Sequence, residues 1–189
     1  DGQGGHTGDL KYIDFVVDQT AAALQAAVDS MQPASLKTAS GMAEGKIAYN
    51  YYAPALYDKR MAVIQAIGSN GKAIFTLVNY AIHPEVLGNE RGIVSPDAIG
   101  PLCEKVEADQ GGMGIFLNGA QGGMVTADNR NLDQLRDPAN AVWNDERSWS
   151  ECLRIGQLMA AEAGRLLSKS ESQASPKLEC QTRKVRFPI

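Results

Sequence analysis

The sequence has no run of about 20 apolar residues, so no transmembrane helix is expected. Its best stretch, Ala73 to Ile82, is too short and holds Thr76 and Asn79. Histidine is scarce. His6 and His83 are the only two, too few for a three-histidine zinc site built from this chain alone. Cysteine is nearly as rare. Cys103, Cys152 and Cys180 show no CxxC spacing, which excludes a zinc ribbon and a dense disulfide scaffold. They read mainly as small core residues, with one bridge conceivable and one thiol left over. A basic excess is missing too, since the net charge is −4 and the pI about 5.2. A nucleic-acid binder shows a basic stripe. Here Lys and Arg are scattered and only Arg183, Lys184 and Arg186 cluster, so no nucleic-acid partner is expected. Residues 1–30 show no basic n-region followed by an apolar h-region, so no signal peptide is expected within them. Asp1-Gly2-Gln3-Gly4-Gly5 reads as a loop inside a larger protein.

What is present is the composition of a globular protein, 44% hydrophobic and 21% charged over 189 residues. That length buries a real core. Residues 11–31 carry apolar positions at i, i+3, i+4 and i+7, the period of a helix. Thr7 or Asp9 is placed to cap its start, and Pro33 to end it. Residues 35–40 and 46–52 read as short strands. Met61–Ile67 and Ala73–Ile82 read as two strands joined by Ser69-Asn70-Gly71-Lys72, and Asn-Gly between apolar runs is a strong hairpin signal. The second strand is apolar on both faces, which suits a central position. Residues 100–109 suit a short helix, Gly114–Leu117 a buried strand, and 149–168 a second long helix. The polar stretch 127–148 reads as a long loop. Leu178, Cys180 and Thr182 alternate as in a final strand. The order predicts an α/β fold, a mixed β-sheet flanked by α-helices.

Few residues suggest chemistry. His83 stands where a buried strand ends, and Pro84 forces its backbone to be extended. Strand ends in α/β sheets are where sites assemble, and imidazole is the commonest metal ligand. The competing reading is a histidine simply hydrogen-bonded at a sheet edge. Asp97, in Ser95-Pro96-Asp97, is placed to cap a helix, to hold a histidine in one tautomer or to bind a metal. The Gly-rich loop from Asn118 through Gly119 and Gly122 to Gly123 offers backbone donors to an oxyanion, or is a tight turn required by packing. Thr126 is a nucleophile only if a base accompanies it, and the sequence identifies none. Tyr49, Asn50, Tyr51 and Tyr52 suit a pocket wall or an ordinary strand equally. His6 reads as exposed and inert.

Four segments in order carry a resemblance. They are DLKYIDFVVDQTAAA (Asp9–Ala23), TLVNYAIHPEVLG (Thr76–Gly88), IVSPDAIGPLCEKVE (Ile93–Glu107) and GIFLNGAQGGMVTAD (Gly114–Asp128). Together they resemble the N-terminal catalytic domain of the neutral/alkaline non-lysosomal ceramidases. The resemblance implies a zinc-dependent hydrolase of an amide (N-acyl) or ester bond. Its partner would be a small-molecule or lipid amide substrate. His83 matches the second zinc histidine, and Asp97 a position close to the site. The remaining ligands, a histidine, a glutamate and a tyrosine, are expected before residue 1 and after residue 189. The chain is thus expected to be an internal portion of that domain, spanning 1–189. Family members are often exported, which implies a secreted or periplasmic location. Asn118, Gly119 and Gly122 would approach substrate, and Asp97 and Thr126 would take part in the chemistry. Val125 falls where the family carries a serine. That substitution raises the alternative of a degenerate member that binds ligand without turnover.

Overall fold

The computed structural model describes residues 8–90, 92–122, 124–137 and 142–186. It divides into two compact units, Asp1–Pro33 and Ala34–Ile189. The described part of the first is one helix, α1 (Leu10–Asp29). Asp9 caps it, accepting a hydrogen bond from the Lys11 amide at 2.9 Å, which satisfies one of the donors a helix start leaves orphaned. Ser30 closes it, its hydroxyl donating back to the Ala26 carbonyl at 2.8 Å. The helix therefore stops before Pro33. His6 and Thr7 lie outside the described residues.

In chain order the second unit contains the strands β1 (Ala34–Met42), β2 (Ala48–Asn50), β3 (Arg60–Gly68), β4 (Ala73–Tyr80), β5 (Met113–Asn118), β6 (Val125–Ala127), β7 (Arg130–Asp137) and β8 (Val142–Asp145). Its helices are α2 (Ile99–Gln110), between β4 and β5, and α3 (Trp149–Leu167), after β8. The main sheet has the order β1-β3-β4-β5. Its first three strands are antiparallel neighbours, whereas β4 and β5 run parallel, with Tyr80 beside Asn118. The sheet is mixed, the fold is α/β, and β4 is interior as its two apolar faces require.

The β3–β4 turn is the three-residue form rather than a two-residue Asn-Gly turn. The Gly68 amide donates to the Lys72 carbonyl at 2.9 Å, and the Gly71 amide to the Gly68 carbonyl at 2.9 Å. Only Gly71 has a left-handed backbone, with φ at 75°. A type I turn ending in one such residue matches the twist of the strands. The Asn70 side chain accepts from the Lys72 amide at 2.9 Å and completes the turn.

The core forms where α2 and α3 pack on the sheet. Leu102, Ile155, Met159, Val63 and Val78 are all at or below 1% exposure. Ser148 caps α3 by accepting from the Glu151 amide at 3.3 Å. Helix α3 crosses the start of α2 at Gly156, where a Cβ would come within 2.7 Å of the Leu102 amide nitrogen. Only a residue without a side chain permits that approach. Glu162, on the same helix, is buried but accepts from the Glu44 amide at 2.8 Å and from Arg165 at 2.6 Å. Beyond α3 the chain runs along the outer edge of β1. Leu36 and Gln173 exchange backbone hydrogen bonds at 3.0 and 2.8 Å, and the Ser170 hydroxyl donates to the Thr38 carbonyl at 2.7 Å.

Three expectations change. The stretch 127–148 is not one long loop, because β7 and β8 form an antiparallel hairpin. Its base is fixed by Arg130, which binds Asp128 through two bonds of 2.8 Å and stacks over the rings of Tyr49 and Trp143. Leu178, Cys180 and Thr182 are exposed and form no strand, for lack of a partner among the described residues. Of the three cysteines, all free, only Cys152 is a buried core residue, with Cys103 half-buried and Cys180 exposed.

Candidate functional site

Strands β4 and β5 end side by side at the C-terminal edge of their parallel pair. Segments from both converge just beyond. The chain leaves β4 through Ala81 and Ile82, both buried, and reaches His83. Asn118, the last residue of β5, braces this exit by donating its amide to the Ile82 carbonyl at 2.7 Å. The Gly119 amide donates to the Tyr80 carbonyl at 2.8 Å. A Cβ at Gly119 would stand 3.1 Å from the Ala81 nitrogen, so this loop is kept close to the His83 segment. Gly122 has φ at 56° with open space around it, while Gly123 lies outside the described residues.

His83 is bridged in parallel to Thr126 of β6. The Val125 carbonyl accepts from the His83 amide at 3.1 Å and pairs with the ring Nδ1 at 2.7 Å. A carbonyl only accepts, so Nδ1 carries the proton. Nε2 is then the nitrogen through which this tautomer would bind a metal.

Asp97 is the one described non-glycine residue with a positive φ, at 48°. Its carboxylate accepts from the amides of Val86 at 3.1 Å, Leu87 at 2.9 Å and Ala98 at 2.7 Å. Burial pushes the nearby Cys152 thiol up to about 12, and the charge of Asp97 and a hydrogen bond to it reinforce the shift. That thiol is therefore a neutral donor. Asp97 thus ties the turn after His83 to the start of α2. It is not the side-chain cap of that helix, whose N-cap is Ala98.

Beside His83 lies a cavity of about 570 Å³. Tyr49, Glu85, Leu87, Asp97, Thr126 and Arg147 are among the residues that line it. Tyr51 lines it as well, while His83, Asn118, Gly119 and Gly122 do not. Alternation along β6 sets what the cavity meets. Val125 is 5% exposed and packs in the core, Thr126 faces the cavity, and Ala127 is buried again. Tyr49 is pushed up to about 12 by burial, and Asp145 adds to the rise, so its phenol keeps its proton at neutral pH. Glu85 also lines the cavity, and sequence reasoning missed it. Its only signal was a carboxylate two positions after His83. Among the described residues, no group of three or more His, Cys, Asp and Glu side chains is arranged to hold a metal ion.

The same architecture recurs in solved structures. The crystal structure of the neutral ceramidase from Pseudomonas aeruginosa superposes with a TM-score of 0.64 at 19% identity, covering 82% of this chain and 26% of that one. A ceramidase complexed with C2 superposes at 0.58 and 20% identity, covering 77% and 24%. The chain has a ceramidase-like fold and spans about a quarter of the length of those proteins. No family model and no curated protein sequence matches it.

Proposed function

We propose that the chain belongs to a zinc-dependent, ceramidase-like hydrolase of an N-acyl amide or ester bond. The observation that carries this reading is the His83–Val125 contact. It leaves Nε2 as the ring nitrogen available to a metal, next to the cavity-lining Pro84 and Thr126, in a fold shared with ceramidases. Among the described residues no group of three or more such donors converges, so His83 would supply one ligand and the others would come from outside them. Zinc, when bound, supplies a Lewis acid and lowers the pKa of a bound water to roughly 7. The chain's own residues position the substrate. Asp97 holds the backbone of Val86 and Leu87 at the cavity wall. Thr126 contacts the acyl group. Asn118 and Gly119 brace the exit of β4 that leads to His83.

The test uses the protein carrying this chain at its natural length. Zinc is measured by elemental analysis in the wild type and in His83→Ala, and hydrolysis is followed on a panel of N-acyl amides and esters. Zinc lost from the variant and turnover by the wild type support the reading. Equal zinc in both refutes the ligand assignment. Binding of panel members without turnover favours the second reading, a non-catalytic ligand-binding protein. The observation on its side is that the Asp97 carboxylate is taken up by structural donors.

A further inference from the structure

Two asparagines in the chain stand directly before a glycine, Asn70 and Asn118. Such a step is open to attack by the backbone on the side chain, because glycine has no Cβ to cover its amide nitrogen and turns freely about φ. Exposure does not separate the two, since both asparagines are exposed. Their partners do. Asn70 is at the tip of the β3–β4 turn, where its side chain accepts from the Lys72 amide at 2.9 Å. The Gly71 amide donates to the Gly68 carbonyl at 2.9 Å. Both bonds lie within the turn, beyond Ile67 and Ala73, the last β3–β4 pair. The tip therefore opens without unpairing a strand. A Cβ at Gly71 would meet nothing within 4 Å, which leaves room for a ring to close. Asn118 is held across the sheet instead. Its amide donates to the Ile82 carbonyl at 2.7 Å and to Gln121 Oε1 at 2.9 Å. The Gly119 amide donates to the carbonyl of Tyr80 at 2.8 Å, and Tyr80 is 1% exposed. For its nitrogen to reach the Asn118 side chain, Gly119 has to leave that buried acceptor and draw the end of β5 away from β4.

We propose that Asn70 is a site of spontaneous deamidation in the folded protein, and that the pairing of β4 with β5 withholds Asn118 from the same reaction. The Gly71 nitrogen gives its proton to solvent and attacks the side-chain carbonyl carbon of Asn70. The bond from that carbon to the amide nitrogen breaks, and the nitrogen takes a proton from solvent and leaves as ammonia. The five-membered imide that remains takes up one water at either carbonyl, giving aspartate or isoaspartate. The consequences differ between the two positions. At position 70 an aspartate still accepts from the Lys72 amide, and an isoaspartate lengthens the backbone in the turn alone. The eight residues of β4, about 26 Å of strand, separate that turn from the His83 segment. At position 118 a carboxylate, which only accepts, would face the Ile82 carbonyl beside His83. The bonds that hold Asn118 thus protect the position where the change would reach the site.

The experiment ages the natural-length protein at pH 8 and 37 °C, in native buffer and in guanidinium chloride. Peptide mapping by mass spectrometry at successive times follows the gain of one mass unit at each asparagine, and chromatography separates aspartate from isoaspartate. In native buffer Asn70 is expected to convert roughly tenfold or more faster than Asn118, because a loop tip opens at almost no free-energy cost whereas paired core strands open at a cost approaching that of global unfolding. In guanidinium chloride, where neither environment survives, the two positions are expected to convert at comparable rates. An Asn70 that stays intact in native buffer overturns the modification site. An Asn118 that converts as fast as Asn70 in native buffer overturns the protection. So does an Asn118 that stays slow in guanidinium chloride, since its resistance would then not come from the fold. The wild-type chain suffices for every arm, so no variant has to fold.

Discussion

The carbonyl of Val125 holds His83 twice, by its backbone amide at 3.1 Å and by its ring nitrogen at 2.7 Å. Backbone geometry and ring orientation are therefore set by one acceptor, and any displacement of β6 moves both. The side chain at position 125 plays no part in this, since it lies in the core. A serine or a valine there would present the same carbonyl. A different side chain there would change the core, while the hydroxyl that meets the cavity belongs to Thr126.

Asp97 is expected to matter first to stability. Asp97→Asn keeps the shape but places an amide group where three backbone donors converge. Hydrogen bonds to a charged acceptor are worth about 1.5–3 kcal/mol, and an unsatisfied buried donor costs about 1–3 kcal/mol. The variant should lose roughly 2–4 kcal/mol on this scale, seen as a lower urea midpoint. A midpoint unchanged from wild type would contradict the structural role.

Acid should weaken the anchor at the other end of α3. The hydrogen bond from Arg165 lowers the pKa of Glu162 below its usual 4.5, against the opposing effect of burial. Such a carboxyl binds fewer protons folded than unfolded. Its contribution is complete above about pH 4.5 and fades as pH falls through the lower, folded value. Glu162→Gln should therefore cost about 1.5–3 kcal/mol at pH 7, the range for hydrogen bonds to a charged group. The gap to wild type should close with acidification. Denaturant unfolding at pH 7, 5 and 3 gives the comparison, and a gap that widens in acid would refute the assignment.

Gly156→Ala offers a test in which local and tertiary preferences oppose each other. Alanine improves helix propensity by about 1 kcal/mol over glycine. Here its Cβ would meet the backbone of Ala98 and Leu102, which cannot rotate away. Overpacking of this kind costs about 1–3 kcal/mol, so a net loss of up to about 2 kcal/mol and a lower thermal midpoint are expected. A rise in the midpoint would mean that α2 and α3 separate without cost.

The parts of the fold legible in the sequence are those built from short-range signals. The helical period of residues 11–31, the Asn70-Gly71 turn and the capping serine ahead of α3 each speak within a few residues. The β7–β8 hairpin was not legible, because its polar residues carry no apolar alternation. Its anchor is a guanidinium stacked on Tyr49 from a distant strand. The reverse error arose at Leu178–Thr182, where alternation exists without a neighbour to pair with. The place of His83 just beyond the end of β4 was legible from strand end and proline together. Asp97 was legible as unusual but not in its contacts, since its partners come from positions 86, 87, 98 and 152. Glu85 became a candidate only when the fold placed it against Thr126.

The segment after α3 has a consequence for how copies of the protein meet in solution. By bonding to Leu36 and Thr38 it occupies part of the outer row of donors and acceptors on β1. An open strand edge is a template on which another chain's strand can add, and growth by such addition leads to aggregates. A few residues of irregular chain thus act as a selvedge, finishing the sheet on that side so that it does not extend.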